Sequence, residues 1–218
     1  MKKISIALLV TLVLVLGFTM TVSAAADDIS AKVYFDNWIG GNTHYEDINT
    51  YDYDTQCSFF GFELNAAQIK FGAEFGMNAS TKDDSGANYD YDMTNYKIGF
   101  RVVDGRRNKL DVTLSTLKFD GDAFGGDACT GTLLGADLNL ALSKQIFFQA
   151  SYAFSLDASW SGVDSVKMSS LNCKVGDLVT ENIAITAGYR LYRVDGEMPG
   201  YDLTRELSGL TLGVMCKF

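Results

Sequence analysis

From Ile29 to the C-terminus the apolar residues recur at every second position rather than every three to four, the period of a half-buried strand. Ile29, Ala31, Val33 and Phe35 alternate with Ser30, Lys32, Tyr34 and Asp36, and Ile69, Phe71, Ala73 and Phe75 with Gln68, Lys70, Gly72 and Glu74. The same rhythm marks Phe60–Leu64, Tyr96–Val102, Leu110–Leu114, Leu134–Leu142, Ile146–Phe154, Leu171–Val175, Ile183–Leu191 and Leu210–Phe218. The pattern predicts ten strands and needs no helix in the mature chain.

The connections predicted between these segments alternate in length. Those around 65–66, 104–108, 143–144 and 180–182 are short. Those at 39–56, 77–92, 120–131, 157–165 and 195–206 are long and rich in Gly, Asp, Asn and Tyr. An even number of strands with this rhythm puts both termini on the short-turn side, as in transmembrane barrels with short periplasmic turns and longer external loops. A secreted soluble barrel or sandwich would share the period, with its apolar face turned inward. The polar face favours the membrane, because it carries Gly61, Gly72, Gly76, Gly99, Gly135, Gly176, Gly188, Gly209 and Gly213 beside long charged residues. Glycine weakens a strand, but in a cramped polar lumen it makes room for Lys, Arg and Glu opposite.

The N-terminus changes the compartment. Lys2 and Lys3 precede an apolar run from Ile4 to Phe18 and the small-residue stretch Val22–Ala26, the layout of a secretory signal peptide. Cleavage is expected after Ala24, leaving 25–218 as a single barrel domain; an uncleaved membrane anchor is the alternative. Export implies an oxidising compartment. The four cysteines, Cys57, Cys129, Cys173 and Cys216, are widely spaced without a C-x-x-C pair, so neither zinc nor any other cofactor is expected. Cys57 and Cys129, both near the external end, could be bridged. Cys173 and Cys216, two strands apart, could not, since a disulfide needs Cα atoms within about 7 Å. The formal charge of −9 argues against nucleic acid as a partner, which requires a basic stripe.

The final segment, with Leu210, Leu212, Val214 and Cys216 alternating to a terminal Phe218, resembles the last strand of Gram-negative outer-membrane β-barrel proteins. That resemblance covers the signal peptide, all ten segments and the terminus. It implies an all-β, ten-stranded antiparallel up-and-down transmembrane barrel in the cell outer membrane, contact with outer-membrane lipids, and Phe218 as the residue read by the outer-membrane assembly machinery. Cys216 departs from the large apolar residue usual two places before the end.

Inside such a barrel the polar parity places Lys32, Lys70, Lys97, Arg101, Lys174 and Arg190 against Asp36, Glu63, Glu74, Asp111 and Asp137. Ten tilted strands give a backbone diameter of about 20 Å, which these side chains can mostly fill. A sealed network of ion pairs is the expectation and a narrow non-specific channel the alternative. The external loops concentrate acid, and Tyr-Asp-Tyr-Asp occurs at both 51–54 and 89–92. Asp52, Asp54, Asp90 and Asp92 are therefore candidates for a rim that takes divalent cations or a surface ligand. Asp120-Gly-Asp122-Ala-Phe-Gly125 begins like a calcium loop but lacks its closing glutamate. His44, the single histidine, has Glu46 and Asp47 nearby and could serve a lipid- or peptide-modifying enzyme as a base, although no nucleophile motif accompanies it. The expected role is structural or surface-interaction, not enzymatic.

Overall fold

A computed structural model of the chain describes residues 29–47, 50–82 and 86–218; the expected signal peptide, its cleavage site and the acids Asp83 and Asp84 lie outside them. The described residues form ten strands: β1 Ile29–Glu46, β2 Thr50–Ala66, β3 Ile69–Lys82, β4 Asn88–Asp104, β5 Asn108–Gly121, β6 Cys129–Ala141, β7 Ile146–Trp160, β8 Asp164–Leu178, β9 Ile183–Met198 and β10 Tyr201–Lys217. Each pairs antiparallel with its sequence neighbours, and β1 pairs with β10 to close the barrel. At the seam, the Phe218 amide donates to the Ala31 carbonyl (2.8 Å) and the Ala31 amide to the Phe218 carbonyl (3.0 Å). Every strand therefore has two partners, and no sheet edge is left exposed in lipid.

The strands run much further than the alternation predicts. The long loops expected at 39–56, 77–92, 157–165 and 195–206 are mostly strand, and the eighth segment spans Asp164–Leu178 rather than 171–175. The reason is an inversion of polarity part-way along the barrel. On β2 the outward residues read Asp52, Asp54, Gln56, Ser58 and then Phe60, Phe62, Leu64; the inward ones read Tyr53, Thr55, Cys57, Phe59 and then Gly61, Glu63, Asn65. On β5, Leu110, Val112 and Leu114 face out below while Leu117 and Phe119 are buried inside above. A strand that is apolar outside at one end and apolar inside at the other looks, in sequence, like a short strand followed by a polar loop.

Other strands reach the same result with a bulge, which re-aims the side chains beyond it; β1 and β3 show it. In β1 the register with both neighbours shifts between Asn37 and Asn42, where Gly40 takes a left-handed φ of 64°. Trp38 below and Thr43 above consequently both face inward and are buried. In β3 the shift between Gly76 and Ala79 does the same for Gly76 and Ala79.

The barrel is thus two structures end to end. The half nearest the termini has an apolar outer belt, including Phe35, Phe62, Phe71, Ile98, Phe100, Val112, Ile185, Leu212 and Val214, all exposed, around a polar interior. The other half is a collar with a polar outside and an apolar inside. In the lumen, Tyr34 lies opposite Gly61 and Phe147 opposite Gly176. A Cβ on either glycine would land on the facing ring. These glycines make room for aromatic rings rather than for charges; Gly188, crowded by the Lys174 side chain, fits the original expectation.

Candidate functional site

All eleven charged residues assigned to the lumen face inward, and each enters at least one ion pair. They fall into two layers. Nearest the termini, Lys70 bridges Asp111 (2.5 Å) and Asp137 (3.0 Å), Lys97 joins Asp137 (3.1 Å), Arg101 donates to Asp111 (2.9 Å) and Asn65 (3.2 Å), and Lys32 pairs with Glu63 (2.6 Å). These contacts join β1, β2, β3, β4, β5 and β6 across the lumen.

The second layer centres on Asp36, which accepts from Lys174 (2.7 Å), Arg190 (3.3 Å) and Thr186 (3.2 Å). Arg190 also reaches Glu74 (2.8 Å), whose carboxylate accepts from the hydroxyls of Tyr34 (2.8 Å) and Tyr192 (3.0 Å). Charges out of water are costly unless paired and hydrogen-bonded. Here each carboxylate takes two or more donors, apart from Glu63. Between the layers lies a polar chamber of about 80 Å³, lined in part by Asn95, Thr113, Ser115, Ser151, Ser170 and Asn172, with room for a few water molecules.

Directly above Arg190 the interior turns apolar. Phe59, Met93, Leu117, Phe119, Leu133, Leu203 and Leu207 fill the collar, each at most 2% exposed. The connection 122–128 folds into the mouth: its short 3-10 turn Asp122–Phe124 drives Phe124, fully buried, onto Phe119 (ring centroids 4.9 Å) and Trp160 (5.5 Å). The Trp160 indole donates to the Phe124 carbonyl (3.1 Å). The stretch that opens like a calcium loop is therefore a stopper. Sequence reading missed it, although a phenylalanine where a cation loop needs a ligand was its signal.

The acidic rim residues Asp52, Asp54, Asp90 and Asp92 are exposed on the outer face of the collar, on β2 and β4 rather than on loops. With β3 between them, Asp54 faces Lys82, and among the described residues no cluster of His, Cys, Asp and Glu could hold a metal ion. His44 likewise sits on β1, not in a loop, and its Nδ1 lies 2.8 Å from Asp52. The four cysteines are free. The bridge considered between Cys57 and Cys129 is not formed: both thiols are buried inside the collar, that of Cys129 against Met168 Sδ (3.9 Å).

A closed antiparallel barrel with an apolar belt outside and a charged, hydrogen-bonded lumen inside defines an outer-membrane β-barrel protein. The chain belongs to the YfaZ precursor family, whose model matches residues 53–218. No curated protein sequence matches the chain. Among solved structures it is similar to the outer membrane protease OmpT of Escherichia coli, with a TM-score of 0.59 and 13% identity over 92% of this chain and 100% of that one. It is also similar to Neisserial surface protein A (TM-score 0.40, 13% identity, 86% and 97% covered). A third is the translocator domain of the autotransporter NalP from Neisseria meningitidis (0.39, 13%, 95% and 96%). The first likeness is one of fold. The protein resides in the outer membrane.

Proposed function

We propose that this protein is a non-conducting barrel that anchors a folded collar outside the membrane, in a structural or surface-interaction role. One observation carries this reading: along the barrel axis, two layers of ion pairs are followed by an apolar plug capped by Phe124. Outer-membrane lipids would contact the belt, and the assembly machinery would read Phe218. The outer-face acids offer a surface to cationic ligands.

A narrow pore is the second reading, favoured by the polar lower lumen and by the 290 Å³ vestibule at its open end, lined by Arg106, Arg107, Lys109 and Lys217. Conduction would then depend on the stopper withdrawing. A catalytic role has less support. The couple His44–Asp52 faces outward, and Asp52 is the one hydrogen-bond partner of His44 among the described residues. General-base catalysis needs a hydroxyl or water positioned against the base as well. The deciding experiment is single-channel recording of purified protein in a planar bilayer. No steady conductance is expected. Reproducible openings whose selectivity shifts with Arg190→Gln would replace this reading with the pore.

A further inference from the structure

At the external mouth, beside the stopper, the collar holds a pocket of about 310 Å³, near the lower end of the range for small-molecule sites. Its walls are Tyr45, Tyr53 and Tyr89, with Thr43 and Thr81 on the barrel wall, Arg205 inside and Asp122 of the stopper as the one acid in the lining. Thr43 and Thr81 belong to a hydroxyl triangle with Thr55, at 2.5 Å and 3.3 Å from that residue.

Arg205 is the unusual member. Its guanidinium lies 4.7 Å from the ring centres of both Tyr45 and Phe124 and 5.2 Å from that of Trp160. Every lumen arginine has a carboxylate partner, whereas Arg205 forms no ion pair among the described residues; its Nη1, closed off from solvent, has no hydrogen-bond partner, so a ligand would have to meet the guanidinium along its other nitrogens. Aromatic faces stabilise a cation, and the Tyr45 hydroxyl offers Arg205 one acceptor, but no carboxylate answers the planar fork of donors that an arginine carries. A carboxylate satisfies that fork with two parallel hydrogen bonds. The space left beside it is bounded by aromatic rings and by hydroxyls that can both donate and accept. That suits a ring bearing several hydroxyl groups, with apolar C–H faces to lie on tyrosine.

We propose that this pocket binds a single-ring sugar acid, its carboxylate on Arg205 and its ring among Tyr45, Tyr53 and Tyr89. The proposal rests on the surface-interaction reading, but its test is independent of conduction. A silent bilayer with no binding would overturn the ligand alone. Openings together with binding would overturn only the sealed lumen.

The test is titration of the full-length protein in detergent with D-glucuronate, D-glucose and acetate, followed by tryptophan fluorescence, since Trp160 adjoins Arg205. Saturable quenching by glucuronate is expected, with glucose and acetate each at least tenfold weaker. Arg205→Gln should weaken glucuronate at least tenfold and leave the weak response to glucose unchanged. Because Arg205 is packed among rings, its variant must retain the gel mobility of the unboiled barrel. Tyr89→Ala, at a partly exposed wall position, gives a second measure and should weaken glucuronate several-fold. Equal binding of glucose and glucuronate would remove the role of Arg205. Equal binding of acetate and glucuronate would remove the sugar ring, and absence of glucuronate binding to the folded wild type would remove the site.

Discussion

The guanidinium of Arg190 lies 4.0 Å from the centre of the Phe59 ring, and the interior changes character at that contact. Below it Arg190 binds Asp36 and Glu74; above it Phe59 packs on Trp38 (5.1 Å, edge-on) and Tyr192 (6.3 Å). One side chain thus serves the charged layer with its edge and the apolar plug with its face. Outside the barrel the same transition runs the opposite way, from lipid-facing Phe60 to water-facing Ser58.

The second charged layer should be fragile to single deletions. Asp36 is 1% exposed and holds two cations, so Asp36→Ala leaves Lys174 and Arg190 short of a counter-charge. A loss of about 3–5 kcal/mol is expected. On the collar surface Lys118 pairs with Asp120, both about half exposed, and Lys118→Ala should cost about 1 kcal/mol or less. Urea titration of refolding into lipid vesicles measures both. Equal costs would mean that the lumen is as wet as the outside.

The belt and the collar should answer differently to an outward arginine. Ile185 is 55% exposed in the belt, and Ile185→Arg should destabilise by about 2–4 kcal/mol near the midplane. Gln56 faces outward in the collar, where Gln56→Arg should stay within about 0.5 kcal/mol. Comparable losses would place the membrane boundary elsewhere. Leu138→Arg belongs with Ile185→Arg, and Gly135→Arg on the inward face should be costly for a different reason. A Cβ there would sit 2.6 Å from the Tyr152 carbonyl oxygen and 2.7 Å from Ala153 Cβ.

The stopper depends on one ring. Phe124→Ala removes a fully buried side chain stacked on Phe119, a change that costs about 3–5 kcal/mol in a core. Because the surrounding strands are paired on both sides, the loss should appear as local opening of 122–128. Protease added to vesicles holding the variant should cut within 122–128 and leave the strands intact. Resistance equal to wild type would show that Phe124 does not hold the mouth closed.

The aromatic–glycine pairs should be non-additive. Gly61→Ala drives a methyl group into the Tyr34 ring, and overpacking of this kind costs about 1–3 kcal/mol. In Tyr34→Ala the space is already open, so adding Gly61→Ala should cost almost nothing further. A double-mutant cycle reads this as coupling of about 1 kcal/mol or more, and strict additivity would mean that the ring does not rest on Gly61.

The sequence by itself determined the strand count, the up-and-down order, the inward parity of the eleven charged residues of the lower lumen and the placing of the start of β1 and the end of β10 at one end of the barrel. Each follows from the period of two, which a strand cannot escape because successive side chains point to opposite faces. It did not reveal where the strands end. Tyr53, Cys57 and Phe59 keep the same parity as Glu63, yet the sequence shows no reason for an inward row to change from apolar to charged. Only the closed barrel supplies that reason: the same wall faces lipid over one part of its length and water over the rest, so the side that must be apolar changes at the membrane boundary. The stopper and the Arg205 pocket were hidden for a related cause. Phe124 meets Phe119 and Trp160, and Arg205 meets Tyr45, across a barrel whose closure brings together residues from β1, β5, β7 and β10, and no local pattern encodes such meetings.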